Sequence, residues 1–270
     1  MPATALITGA SSGIGAEFAR QLAAQQYDLI LVARREERLR ALAAELERAH
    51  SIRTEILVAD LSNLADIERV ATRIAELETL DLLINSAGFG TPLRFAEAEA
   101  AKQVAMLEVH VVASTRLSRA ALPGMIARGR GLIINVSSLA AFFPMPGSVT
   151  YCATKAYLNT FSKALQAELR GTGVEVQALC PGFTYTEFHD TPEYAKFSRS
   201  TIPKPFWMPA EKVVRASLEA ARRGRVICIP GFGYRLIALL ARSGLASLLL
   251  NILMRLRSRA NSTSRAQPGE

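Results

Sequence analysis

Tyr151 and Lys155, in the stretch YCATK, set a phenol and an ammonium four residues apart. On a helix that spacing stacks both groups on one face, one turn apart. A tyrosine with its ordinary pKa of about 10 is a poor base at neutral pH, and a neighbouring positive charge favours its ionised form. The chemistry such a pair suits is proton transfer. The same spacing also occurs on ordinary helices, where the lysine stem packs on the ring and the charge stays in water, so the rest of the chain must decide.

Two further groups of residues could hold a nucleotide beside that pair. TGASSGIG, Thr8 to Gly15, places Gly9, Gly13 and Gly15 around a tight turn that also contains Ser11, Ser12 and Ile14. Such a turn, opening a helix, lets backbone N–H groups and the positive helix end approach a pyrophosphate. Its spacing is not the G-x-G-x-x-G of most dinucleotide folds. Farther on, ILVARREERL offers Arg34 and Arg35 where an acidic residue would hold a ribose 2′-hydroxyl, and an arginine there accommodates a 2′-phosphate. NADP is therefore expected, with Arg34 nearer the strand end and Arg35 open to a second role as the solvated start of the next helix. Asp60, followed by Leu61, accepts from the adenine amino group or caps the helix after Ser62.

These residues need elements to position them. TALITG, DLILVAR, TEILVAD, LDLLINSAG, GLIINVSS, VEVQALCPG and RVICIPG read as seven strands, several apolar almost throughout. Between them lie helix-period stretches such as Ala16 to Gln26, Glu36 to Ala49 and Leu64 to Glu78. Such alternation predicts a doubly wound α/β domain, a parallel sheet of about seven strands with helices on both faces. Ligands in such sheets bind beyond the carboxyl ends of the strands, where the glycine turn, Arg34 and Asp60 all fall. The expected division is a domain over residues 1–231 and an apolar, basic extension over residues 232–270.

Composition narrows the function. The chain has 270 residues, half of them apolar, enough for one large core. MPATALITGA lacks the basic and apolar regions of a secretory signal, which favours the cytoplasm. Cys152, Cys180 and Cys228 form no C-x-x-C pair and there are three histidines, so neither a disulfide frame nor a metal site is expected. The net charge is +8, but residues 232–270 hold six arginines against one glutamate and so carry five of those eight charges. A nucleic-acid groove would spread its cations and aromatics across the domain, so no nucleic-acid partner is expected.

Taken together, these motifs resemble the short-chain dehydrogenase/reductase family. TGASSGIG is similar to its cofactor turn, NSAG (Asn85 to Gly88) to its segment after the fourth strand, YCATK to its Y-x-x-x-K, and PGFTYT (Pro181 to Thr186) to the segment lining the nicotinamide. Ser138 precedes Tyr151 by the family's usual interval. The resemblance runs over roughly residues 3 to 230 and implies a Rossmann-type fold. It also implies cofactor contacts from Asn85, Ala87, Gly88, Pro181, Gly182, Thr184 and Thr186, besides the turn residues and Tyr151 and Lys155. In the implied chemistry hydride passes between NADP(H) and a carbonyl or alcohol carbon, Tyr151 transfers the proton, Ser138 binds the same oxygen, and Lys155 holds the nicotinamide ribose.

Two regions depart from that pattern. His110 stands where the family usually has an asparagine in the helix after the fourth strand; it is either a buried, satisfied histidine or a proton relay to Tyr151, titrating near its unperturbed pKa of about 6.5. The tail YRLIALLARSGLASLLLNILMRLRSR carries leucines at helical spacing from Leu245 to Leu256. Its longest uncharged run, Ser243 to Met254, is too short to span a bilayer. Packing on the body or in an interface is favoured over a peripheral contact with an anionic membrane, and a homo-oligomer is expected. Phe188, Tyr194, Phe197, Phe206 and Trp207 in the segment before Met208 either point to a bulky or lipophilic substrate or serve as hinge anchors. A cofactor-binding regulator without turnover, or a sugar-nucleotide epimerase, remains the alternative.

Overall fold

The computed structural model describes residues 3–195 and 197–242. The chain divides into two compact units, Met1–Pro230 and Gly231–Glu270. In the first, strands β1 (Thr4–Thr8), β2 (Asp28–Ala33), β3 (Thr54–Val58), β4 (Leu80–Asn85), β5 (Gly131–Val136), β6 (Val174–Leu179) and the short β9 (Ile227–Cys228) form one sheet of seven strands, ordered β3-β2-β1-β4-β5-β6-β9. Every pairing in it is parallel. The strands are apolar on both sides because both sides are covered.

Alternation along β1 shows how. Ala5 and Ile7 pack on one face with Phe18, Leu39 and Val214 from helices α1 (Gly13–Ala23), α2 (Glu36–His50) and α7 (Ala210–Ala221). Leu6 packs on the other face with Ile67, Leu117 and Leu165 from α3 (Leu64–Ala75), α5 (Ser114–Ala127) and α6 (Val149–Glu168). Successive side chains of a strand must point to opposite faces, so two apolar layers follow from one apolar run.

From β1 the chain moves outward through β2 to β3, then returns beside β1 as β4 and moves the other way. That reversal opens a crevice beyond the carboxyl ends of β1 and β4, where such sheets bind ligands. Between α4 (Ala100–Leu107) and α5 the helix widens to a π turn over Glu108–Ala113. A second, two-stranded sheet pairs β7 (Thr184–Tyr185) with β8 (Met208–Pro209) and ties together the feet of the intervening segment.

In the second unit, α8 (Phe232–Arg242) exposes Phe232, Leu236, Leu239 and Leu240. The leucine stripe from Leu245 to Leu256 lies outside the described residues. Among the described residues, no helix is long and apolar enough to cross a membrane.

A polar seam runs through the second apolar layer. Asn85 and Asn135 face each other in register on β4 and β5. Asn85 Nδ2 donates to Asn135 Oδ1 at 2.8 Å, and Asn135 Nδ2 donates to Ser162 Oγ of α6 at 2.9 Å. Asn135 is fully buried. Removing it takes a partner from Asn85 Nδ2, which keeps Ser118, and leaves the buried Ser162 Oγ without Asn135, a loss of about 1–3 kcal/mol. Asn135→Ala is therefore expected to lower the free energy of unfolding by that amount, read in equilibrium unfolding as a lower urea midpoint at unchanged slope.

Candidate active site

The crevice is a cleft of about 750 Å³. At its floor β1 and β4 end side by side. Thr8 Oγ1 accepts from the N–H groups of Ser86 and Ala87 at 2.9 and 3.1 Å and donates to the Ile84 carbonyl. Gly9 follows at φ +68°, and a Cβ there would stand 2.9 Å from the Ala87 backbone. A Cβ on Gly15, in the first turn of α1, would strike the Gly9 carbonyl. The turn is tight because both residues lack side chains. Ser12 occupies the α1 N-cap without a side-chain cap bond, which leaves the first-turn N–H groups to an anion. Gly9, Ser11, Ser12, Gly13, Ile14 and Gly15 all line the cleft. This cradle fits the pyrophosphate of a dinucleotide.

The two arginines behave differently from each other. Arg35, at the N-cap of α2, donates through Nη2 to Ser12 Oγ at 2.8 Å and to Ser11 Oγ at 3.1 Å. Arg34 is the more exposed, its side chain 71% accessible and 3.8 Å from Asp60. Arg35 leans onto the glycine turn, whereas Arg34, also on the cleft wall, leans toward Asp60 beyond the end of β3. Asp60 accepts from the N–H and hydroxyl of Ser62 at 3.0 and 2.7 Å while facing the cleft beside Leu61. Asn63, not Asp60, caps α3, accepting from Ala65 N–H.

Asn85 departs from its expected place. Its side chain turns into the seam with Asn135 and Ser118 and does not face the cleft. The physical reason is alternation: with Asn85 pointing into the helix layer, the chain that follows supplies the cleft wall through Ser86, Ala87, Gly88 and Phe89. Ser86, Phe89 and Gly90 were not among the residues that the sequence singled out, and nothing in their types marks them.

On the opposite wall, α6 carries Tyr151 and Lys155. Lys155 Nζ lies 5.6 Å from the Tyr151 ring centroid and donates to the Val136 carbonyl at 2.8 Å. Ser137 donates to the Lys155 carbonyl, which locks β5 to the helix. Ser138 lies beside Tyr151 and draws its phenol pKa down, and its Oγ accepts from the Ala140 N–H at 3.1 Å. Burial pushes the Tyr151 phenol up to about 12, against the pull of Ser138, and brings Lys155 down to about 7. At neutral pH the phenol keeps its proton, and Lys155 is poised between its two states.

His110, on the π turn, is buried and absent from the cleft wall. Its Nε2 accepts from the Phe89 N–H at 3.2 Å, so Nδ1 carries the proton and donates to Thr154 Oγ1 at 2.9 Å. Thr154 in turn donates to the Tyr151 carbonyl. Burial, with Lys155 nearby, holds the imidazole well below its usual pKa of 6.5. Of the two expected roles the geometry fits the buried, satisfied histidine: both nitrogens are engaged, burial favours the neutral ring, and it braces the wall segment against α6. Gly88 permits this contact, since a Cβ there would come within 2.8 Å of His110 Nε2.

The segment after β6 closes the cleft. Pro181, Gly182, Thr184 and Thr186 line it, and a Cβ on Gly13 would sit 3.1 Å from the Thr186 side chain. Beyond them, Phe183, Phe188, His189, Tyr194, Phe197 and Trp207 pack ring against ring, and Phe188 reaches Tyr151 at 5.9 Å between centroids. The Tyr194 hydroxyl is packed on Gly90. Lys102 of α4 bridges to Glu193 at 3.3 Å across the mouth. Among the described residues, no cluster of His, Cys, Asp or Glu could hold a metal ion, and Cys152, Cys180 and Cys228 are buried free thiols.

Comparison with known proteins agrees with this arrangement. A family model described as short chain dehydrogenase matches residues 3–194. A short-chain dehydrogenase from Sphingobium yanoikuyae, solved in complex with NADPH, is 38% identical, with a TM-score of 0.81 over 92% of this chain and 96% of its own. A bulky-bulky ketone specific alcohol dehydrogenase from Comamonas testosteroni is 33% identical, with a TM-score of 0.77 over 92% of this chain and 94% of its own. A very-long-chain 3-oxoacyl-CoA reductase from Anas platyrhynchos is 30% identical over 95% of this chain and 82% of its own length. Further 3-oxoacyl-CoA reductases are matched over only 53% and 65% of their lengths. With the family's model covering most of the chain and its fold and motifs in register on the cleft, the chain belongs to the short-chain dehydrogenase/reductase family of oxidoreductases.

Proposed function

We propose that the chain reduces a bulky, largely apolar ketone or 3-oxoacyl thioester with NADPH. The observation that carries this reading is the placement of the Ser138–Tyr151 pair beneath an aromatic lid, on the same cleft as the glycine turn with Arg35 laid across it. The names of the Comamonas and Anas relatives support the substrate class, and the NADPH complex of the Sphingobium relative supports the cofactor. The cofactor, once bound, supplies a hydride to the carbonyl carbon. Everything else falls to the chain's own residues.

The carbonyl oxygen would lie between the Tyr151 and Ser138 hydroxyls. As hydride arrives, charge grows on that oxygen, and two donors already aimed there stabilise it without reorganising. Ser138 can donate because the Ala140 N–H already occupies its acceptor side. Tyr151 then gives its proton, completing the alcohol; a phenol held at about 12 is protonated at every physiological pH and so is ready as an acid. Protonated Lys155 stabilises the phenolate left behind. Phe188, Tyr194 and Phe197 keep water from the reacting oxygen and give the apolar part of the substrate a surface to bury against.

A panel of aryl ketones and 3-oxoacyl thioesters followed by NADPH absorbance tests the assignment; no NADPH oxidation with any member would reject it. Tyr151→Phe is expected to keep NADPH binding and to lose about 10²–10⁴-fold in turnover. Near-normal turnover would remove Tyr151 from the chemistry.

The cofactor arm has its own test. Arg35→Asp should reverse the preference for NADPH over NADH, as read by equilibrium binding, whereas Arg34→Asp should erode it less.

Because His110 is neutral and Lys155 is held at about 7, kcat/KM for reduction should fall through a single limb near pH 7 as Lys155 loses its proton. His110→Asn should leave that limb in place. A limb that vanishes with His110 would restore the imidazole as a titrating relay.

A further inference from the structure

Glu187 lies immediately after Thr186, where the lid crosses the glycine turn. Its carboxylate takes two arginines at the start of α2, the N-cap Arg35 and Arg38 of the first turn: Arg35 Nη1 donates to Oε2 at 2.9 Å, and Arg38 Nη1 donates to Oε1. The same Arg35 holds Ser11 and Ser12. One guanidinium thus joins the glycine turn, the start of α2 and the lid, and Ser11, Ser12, Arg35 and Glu187 line the cleft while Arg38 stands behind them. The two arginines hold the carboxyl below the usual carboxylate range, Arg38 contributing most, so Glu187 is charged at neutral pH.

We propose that Glu187 is a specificity-determining residue: its carboxylate competes with the cofactor's 2′-phosphate for Arg35 and Arg38, so that binding the phosphate releases the foot of the lid. The inference rests on the reading of Arg35 as the partner of that phosphate. A phosphate brought to Arg35 and the two serine hydroxyls enters as a dianion beside a carboxylate that is half exposed. The two anions repel, and Arg35 cannot give its full fork to both. NADH has no phosphate at this place and leaves the Glu187 bridges intact. Glu187 therefore lowers the preference for NADPH below what two arginines alone would give. The lid still has other ties, since Arg199 binds both Asp190 and the Thr186 carbonyl, and Lys102 binds Glu193.

The test uses the full chain and two fragments of the cofactor, 2′,5′-ADP and 5′-AMP, with affinities measured by calorimetry. In Glu187→Gln the Kd for 2′,5′-ADP should fall about 3–10-fold, in keeping with exposed charge pairs, while that for 5′-AMP moves less than about two-fold. Asp190→Asn removes a carboxylate from the same segment that pairs with Arg199 instead, and it should leave the ratio of the two affinities unchanged. An unchanged or lowered preference for 2′,5′-ADP in Glu187→Gln would overturn the inference, as would an equal gain in Asp190→Asn. An unmodified chain that fails to distinguish 2′,5′-ADP from 5′-AMP would instead overturn the 2′-phosphate reading itself. As a second readout, hydrogen exchange of residues 187–195 should speed up when 2′,5′-ADP binds the unmodified chain; slower or unchanged exchange would overturn the release of the lid.

Discussion

Beyond β1 and β4 two backbones pass so close that no methyl group fits between them, and the rest of the site is arranged around that contact. Gly9 sits against Ala87, and the Thr8 hydroxyl holds the same segment by two of its N–H groups. The hydroxyl replaces ladder bonds that β1 and β4 can no longer make once their chains diverge. With that junction fixed, the glycine turn on one side and the wall from Ser86 to Phe89 on the other become a single rigid floor. A side chain at Gly9 would separate them. The cofactor cradle and the reaction chamber would then lose their common reference.

His110 extends this rigidity to the catalytic helix. It takes the Phe89 N–H on one side and reaches Thr154 on the other, and Thr154 holds the carbonyl of Tyr151. From Thr8 to Tyr151 the polar contacts are buried or half-buried and are joined into one path by the backbone from Ala87 to Phe89. An asparagine at His110 would also offer one acceptor and one donor, though with a shorter reach. The π turn compensates for the geometry by adding a residue to the helix turn at that point, a common device where a helix carries a functional side chain inward.

The strands, their parallel order and the two apolar layers were legible because each depends on side-chain type repeated along a segment. The Tyr151–Lys155 face was legible for the same reason: helical spacing alone puts both on one side. What escaped was direction at element ends. Arg34 and Arg35 are identical in type, and only the backbone at the start of α2 turns the second one onto the glycine turn. Asn85 was expected at the cofactor through the resemblance of NSAG to the family's segment, yet strand alternation sends its side chain the other way, into Asn135. Glu187 carried no signal at all, since its partners lie 149 and 152 residues away in the chain.

The lid illustrates how unequal its ties are. Its ion pairs are at least partly exposed, and such pairs contribute little to stability, on the order of 0–1 kcal/mol each. The ring cluster from Phe183 to Trp207 buries far more apolar surface and sets the resting position of the segment. The charged contacts therefore act on its edges, where a modest energy is enough to shift one foot without unpacking the rings. A lid built this way can hold an apolar chamber shut over Tyr151 while its polar rim responds to the charge of whatever occupies the cradle. Stability and responsiveness are carried by different side chains of the same segment.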